Sequence, residues 1–238
     1  MPSALLELEY SPAAASNWTD YRQCEADVLG YWYGDTREQL RDTYGPFEER
    51  TIFFGLRRPD GRVVGFCRVI APGPRGLKTI ADIGSAPWTI DGPRSAAAAG
   101  VDLTRTWDIA TLGVDRRLGG AGQVAAAALY YSVINAARIN GYGWIVAIID
   151  SRARSLLASV GLELHALPGT APKHYMGSPA CAPVYAKLAD MLDRQRVNAP
   201  DAYRLIALGV GLDGVSVPPP DAFRLSNWPR PFEQSLTA

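Results

Sequence analysis

A mixed α/β fold is what this sequence predicts, with a central sheet, antiparallel in its N-terminal half, flanked by helices. Three observations carry that expectation. Two apolar runs, residues 51–56 and 62–70, are joined by Arg58-Pro59-Asp60-Gly61, which has the residues of a hairpin turn. A strand over 107–114 runs through a glycine-rich turn into a helix. That helix ends at Gly141 and Gly143 and leads to a short apolar strand, 144–149. A hairpin followed by strand–helix–strand gives a sheet that begins antiparallel and turns parallel.

In chain order, residues 18–33 place Tyr21, Cys24, Val28, Leu29 and Trp32 at helical spacing, behind a cap at Ser16 or Asn17. A second short helix is expected over 36–44, ended by Gly45-Pro46. After the hairpin comes a proline and glycine loop, 71–76, then a short strand at 80–83. Residues 85–100, rich in alanine, proline and glycine, read as an exposed, mobile excursion. In the central helix Val124, Ala127, Ala128, Tyr131, Ile134 and Ala137 recur every three or four positions, from Gln123 to about Asn140. Beyond residue 150 the pattern gives a helix (151–160), strands (162–167 and 182–188) and a polar helical end (189–196). From Asn198 it dissolves. The expected organisation is one domain over 1–196 and an arm over 197–238, including the mixed tail 228–238, packing on that domain or on a partner subunit.

The chain's 238 residues suffice for a sizeable core, and 24 basic against 24 acidic residues give no global field to draw nucleic acid or anionic membrane. Cys24, Cys67 and Cys181 lack metal-ligand spacing, so buried thiols and no metal are expected. With no charged-then-apolar leader and only short apolar runs, the reading is a soluble, cytoplasmic protein.

The chemistry concentrates where the strand enters the helix. Leu118-Gly119-Gly120-Ala121-Gly122 leaves the backbone free to turn, and a helix start offers unpaired N–H groups and a positive dipole end. Arg116 and Arg117 add charge-assisted donors, so the stretch reads as an anion cradle. Arg117-x-x-Gly120-x-Gly122 resembles the pyrophosphate loop of the GCN5-related N-acyltransferase superfamily, and Arg116-x-x-Gly119-x-Ala121 fits it as well. Asp150-x-x-Ala153-x-x-Leu156-Leu157-x-x-x-Gly161-Leu162 is similar to the segment after that family's next strand. Within the superfamily the sequence looks most like the autoinducer (acyl-homoserine lactone) synthases and the N-acyl amino acid synthases. The stretch from Gly65 to Pro72, the strand from Trp107 to Val114, and His174-Tyr175-Met176-Gly177 with Pro183 resemble theirs; the likeness spans 51–188.

That resemblance implies an acyl donor, acyl-CoA or the phosphopantetheine of an acyl-carrier protein, and a small-molecule amine acceptor such as an amino acid. It implies that the strand before the cradle splays from its neighbour and that Leu112, Gly113 and Val114 pair with pantetheine through main-chain groups, one N–H serving the oxyanion. Asp108 stands where the family carries glutamate. It is the candidate base, direct or through water, for an amine whose pKa is about 7.7–8.0; the alternative is a carboxylate that holds a loop or pairs with Arg68. Strand alternation puts Asp108, Ala110, Leu112 and Val114 on one face, opposite Trp107, Ile109 and Thr111. Arg68, Trp107 and Tyr175 are candidate substrate contacts, and a homodimer is an option.

Two positions depart from the pattern. Leu157 replaces the tyrosine that many members use as general acid, and Thr111 replaces the arginine of the autoinducer synthases, which argues against lactone formation from S-adenosylmethionine. A non-catalytic acyl-CoA or acyl-carrier sensor is the second reading. A Rossmann-type dinucleotide site on Gly120-x-Gly122-x-x-Ala125 ranks lower, because Asp150 comes too late for the expected acidic residue.

Overall fold

The computed structural model describes residues 6–12 and 18–225. Its elements are β1 (Leu6–Pro12), α1 (Trp18–Tyr33), α2 (Arg37–Tyr44), β2 (Thr51–Arg57), β3 (Val63–Ile70), α3 (Lys78–Ile83), α4 (Gly92–Ala98), β4 (Thr106–Val114) and α5 (Ala121–Ile139). These are followed by β5 (Trp144–Asp150), α6 (Ser151–Ser159), β6 (His165–Ala166), β7 (Lys173–Tyr175), β8 (Ser178–Lys187), α7 (Leu188–Asn198), α8 (Pro200–Ile206) and β9 (Val215–Ser216). The sheet runs β6-β8-β5-β4-β3-β2-β1-β9, with β7 paired to β8. β1 to β4 are antiparallel neighbours, and β4 pairs with β5 in parallel. An antiparallel half of this size excludes the doubly wound sheet of a Rossmann domain.

Both faces of the central hairpin are covered, which explains why β2 and β3 are apolar almost without a break. α5 packs on one face, burying Ala125, Ala128, Leu129 and Ala137 against Ile52, Phe54 and Trp107. α1 and α2 cover the other, with Tyr21, Val28, Leu29 and Tyr44 against Phe53 and Phe66. The 58–61 turn closes with a Gly61 N–H to Arg58 carbonyl bond of 2.9 Å at a φ of +85° on Gly61. α2 opens with a capping box between Thr36 and Gln39. It ends at Tyr44, and Gly45-Pro46 continue into a 3₁₀ turn, Gly45–Arg50. The expected caps Ser16 and Asn17 lie outside the described residues.

Several expectations are corrected. Residues 80–83 are helical, not extended, and belong to α3. The 85–100 stretch is not an exposed excursion: Trp88 and Ala96 are buried in a subsidiary core with Ile83, Val146 and Leu167. Asp91 caps α4 there by accepting from the Arg94 N–H, with Pro93 in the first turn. Of the 162–167 strand only His165–Ala166 pairs, with β8.

The pattern does not dissolve after residue 198. α7 runs across residue 196 to Asn198, α8 packs on α5, and β9 joins the sheet edge parallel to β1. Phe223 is fully buried in the main core between Tyr10 and Tyr131. Asn140 at the end of α5 holds the Phe223 carbonyl and the Leu225 N–H at 2.8 and 2.9 Å. The tail 228–238 lies outside the described residues. Phe223→Ala is expected to cost about 3–5 kcal/mol of stability, read by urea unfolding; a loss under about 1 kcal/mol would mean that this segment lies on the core without sealing it.

Candidate active site

β4 and β5 pair only through Thr106–Trp144, Trp107–Ile145 and Asp108–Val146. Beyond these the strands part. Residues 109 and 111–114 keep their partners on β3, while the edge toward β5 has no ladder partner among the described residues. The gap is a cleft of about 350 Å³ walled by Leu112, Gly113 and Val114 on one side and Ile148, Ile149 and Asp150 on the other. Main-chain groups facing such a gap must bond a ligand or water, so the cleft accepts an extended polar chain as a substitute strand.

β4 ends in a 3₁₀ turn, Arg116–Leu118, and then the glycines. Gly119 has φ +54° and ψ −129°, a conformation reserved for glycine. The turn engages the N–H groups of Leu118, Gly119 and Gly122 with its own carbonyls. Those of Gly120 and Ala121 have no partner among the described residues and sit at the N-terminus of α5. A Cβ built on Gly119 or Gly120 meets nothing within 4 Å, and on Gly122 only ordinary contacts. The bend is open, with room for an anion. Arg117 is held by Asp115, which also takes Arg62, whereas the Arg116 guanidinium lies 4.4 Å over the Tyr31 ring.

The alternation expected for β4 is broken. A bulge places Ala110 between the pairs Arg68–Thr111 and Val69–Ile109. The extra residue reverses the faces. Thr111 and Gly113 join Asp108 on the side of α1 and α3, while Leu112 and Val114 join Trp107 toward α5. Glycine at 113 is required by packing, since a Cβ would stand 2.8 Å from Val28 Cγ1 and 3.1 Å from Phe66.

Asp108 is 1% exposed and does not line the cleft. Its carboxylate accepts the Thr79 backbone N–H at 2.5 Å and the Thr79 hydroxyl at 2.9 Å. It thereby caps α3 from another strand, a task that Leu77 cannot perform. Burial pushes its pKa up to about 6, against the lowering effect of the two Thr79 bonds. Thr79 lines the cleft in front of Asp108.

Arg68 and Trp107, also expected as substrate contacts, are not among the residues that line this cleft. Arg68 is 2% exposed and bound to Glu25 through both Nε (2.9 Å) and Nη2, with Tyr44 and Phe53 rings against its guanidinium. The Thr111 hydroxyl reaches the same Glu25 at 2.5 Å. A paired, buried guanidinium of this kind anchors α1 to the sheet. Trp107 is in the core against Phe54 and Tyr142. Tyr175 does line the cleft. Its hydroxyl accepts from Lys78 Nζ at 2.8 Å and donates to Asp82 at 2.5 Å, and Lys78 and Asp82 pair directly.

Sequence reasoning missed Lys78, Thr79 and Asp82, because a strand reading of 80–83 hides that Lys78 and Asp82 are one helical turn apart. It also missed Tyr33 and Tyr130, which line the cleft near Leu157. Tyr33 donates to Asp150, and burial followed by that bond raises its pKa; burial pushes Tyr130 up to about 12. Both phenols therefore stay protonated at neutral pH. The cysteines are free and buried. No group of metal-ligating side chains occurs among the described residues, and no described helix is long and apolar enough to cross a membrane.

Solved structures of acyl-transferring synthases superpose on this chain. FeeM, an N-acyl amino acid synthase from uncultured soil microbes, superposes with a TM-score of 0.56 at 17% identity, over 79% of this chain and 93% of that one. The fold is that of these synthases. BjaI, a CoA-dependent acyl-homoserine lactone synthase solved with SAM and isopentyl-CoA, gives 0.52 at 16% identity over 92% of this chain and 97% of its own. The synthase LasI gives 0.51 at 12%, over 91% and 99%. No protein-family model and no curated protein matches the sequence. The likeness expected from the 51–188 motifs thus holds at the level of fold and extends beyond that span.

Proposed function

We propose that the protein is an N-acyltransferase, moving an acyl group from a pantetheine thioester to the amine of a small molecule such as an amino acid. The observation that carries this is the unpaired β4 edge, which leads without interruption to the open glycine turn at the start of α5. An extended pantetheine arm along that edge would bring its diphosphate to the Gly120 and Ala121 N–H groups, which favours acyl-CoA as donor. FeeM is described as an N-acyl amino acid synthase and BjaI as a CoA-dependent acyl-homoserine lactone synthase, in keeping with this assignment.

In the same cleft, Lys78, Asp82 and Tyr175 offer partly enclosed groups of both charges, which suits an acceptor carrying a carboxylate as well as an amine. The amine nitrogen attacks the thioester carbonyl, the C–N bond forms and the C–S bond breaks. The amine's proton passes to the Thr79 hydroxyl, which gives its own to Asp108. A β4 N–H on the free edge supports the developing oxyanion. A thiol pKa of about 8.5 makes the thiolate a tolerable leaving group, with Tyr33 and Tyr130 as the nearby donors.

The test is thiol release from a series of acyl-CoAs with a panel of amino acids. Release that depends on the amine is the expected result. Leu157 at the family's general-acid position favours a second reading, a sensor that binds acyl-CoA without turning it over. Tight binding with no release under any amine would select it.

A further inference from the structure

The last turn of α1 presents two large aromatics to solvent, Tyr31 at 58% and Trp32 at 55% exposure. Their rings meet edge to face at 5.0 Å. Exposed side chains of this size have a low entropic cost of ordering and offer flat apolar area. The Arg116 guanidinium lies over Tyr31, and among the described residues it has no carboxylate partner. Arg117 beside it is paired with Asp115. A hollow of about 330 Å³ opens here between Asp27, Val28, Tyr31 and Trp32 on α1 and residues 114–117 at the end of β4. It adjoins the glycine turn through Arg116 and Arg117, so whatever enters it is connected to the diphosphate position.

We propose that this hollow holds the adenosine end of coenzyme A, with the base stacked on the Trp32 ring, which Tyr31 supports edge to face, and Arg116 facing the ribose phosphate. The inference rests on the reading of the cleft as a pantetheine site and specifies its donor. An exposed indole ring beside a guanidinium and continuous with an anion cradle matches a purine nucleotide: a π-face for the base and a positive charge for the phosphate. Asp27 on the same wall accepts from Gln23 at 2.6 Å and is the carboxylate available to an exocyclic amino group. An acyl-carrier protein delivers phosphopantetheine with no base to stack, so the platform assigns the donor to the CoA class.

The measurement is calorimetric titration with CoA and with 4′-phosphopantetheine, on the full chain and on Tyr31→Ala, Trp32→Ala and Trp32→Phe. Wild type should bind CoA more tightly than phosphopantetheine. Trp32→Ala should weaken CoA about tenfold and leave phosphopantetheine as it was, while Trp32→Phe, which keeps a ring, should retain most of the affinity. CoA affinity unchanged in both alanine variants, or lost in equal proportion with phosphopantetheine, overturns the proposal. So does a change from dimer to monomer in those variants by sedimentation, since the aromatics would then face a second copy of the chain. Wild type that binds phosphopantetheine as well as CoA removes the adenosine subsite alone. Wild type that binds neither removes the cleft reading and this inference with it.

Discussion

Gly120→Asp should abolish donor binding, by about a thousandfold in Kd, with the fold intact. Gly120 has ordinary helical angles and a Cβ there meets nothing within 4 Å, so an aspartate fits without strain. Asp is among the favoured residues at the position before a helix, and its charge suits the dipole. Stability should hold or rise slightly. The ligand pays instead. A carboxylate about 4 Å from a diphosphate costs on the order of 4 kcal/mol at an effective dielectric of 20, close to three decades of affinity. Gly120→Asn, equal in size and uncharged, should lose far less. Titration of acyl-CoA against both variants gives the comparison, with thermal unfolding as the check on folding. Equal affinity for wild type and the aspartate variant would remove the cradle from donor binding altogether.

Asp108→Asn should slow turnover by about 10²–10⁴-fold and leave donor affinity as it is, because Asp108 lies behind Thr79 and away from the glycine turn. Asparagine can still accept the Thr79 N–H and bond its hydroxyl, so α3 stays in place while the proton acceptor is lost. Below about pH 6, where the carboxylate is protonated, the wild-type rate should fall more steeply than protonation of the amine (pKa about 7.7–8.0) accounts for; the variant should lack that limb. Stability moves the opposite way. The fold raises this pKa from 3.8 to about 6, so it favours the protonated acid. That contribution is complete below pH 3.8 and is lost as pH rises through 6, about 3 kcal/mol in all. Urea unfolding across this range should show wild type declining relative to Asp108→Asn. Parallel stability curves, or a pH–rate limb that survives in the variant, would take the proton away from Asp108.

Much of the framework was legible because its signals are local. The helix over 18–33, the 58–61 turn and the passage from strand through glycines to α5 each follow from periodicity or turn chemistry within a few residues. α4 also had a local start signal in Asp91 and Pro93, which the run of alanines and glycines obscured. α3 did not. Leu77 provides no cap, and the six-residue helix depends on Asp108, 29 positions later in the chain, to satisfy its Thr79 N–H. The helical continuation past 198 was hidden for a similar reason, since Phe223 is stabilised by Tyr10 and Tyr131 and not by its own neighbours.

By itself the sequence determined the antiparallel-then-parallel sheet, the open turn before α5 and the absence of a helical tyrosine at Leu157, all of which are written in short-range patterns of glycine and apolar residues. Only the tertiary structure decided which side chains reach the cleft. One inserted residue at Ala110 exchanges the faces of β4, Glu25 from α1 pairs with Arg68 outside the cleft, and Thr79 stands between Asp108 and the gap. Those outcomes depend on bonds between segments far apart in the chain, and a bulge or a buried ion pair leaves no trace in the spacing of either partner.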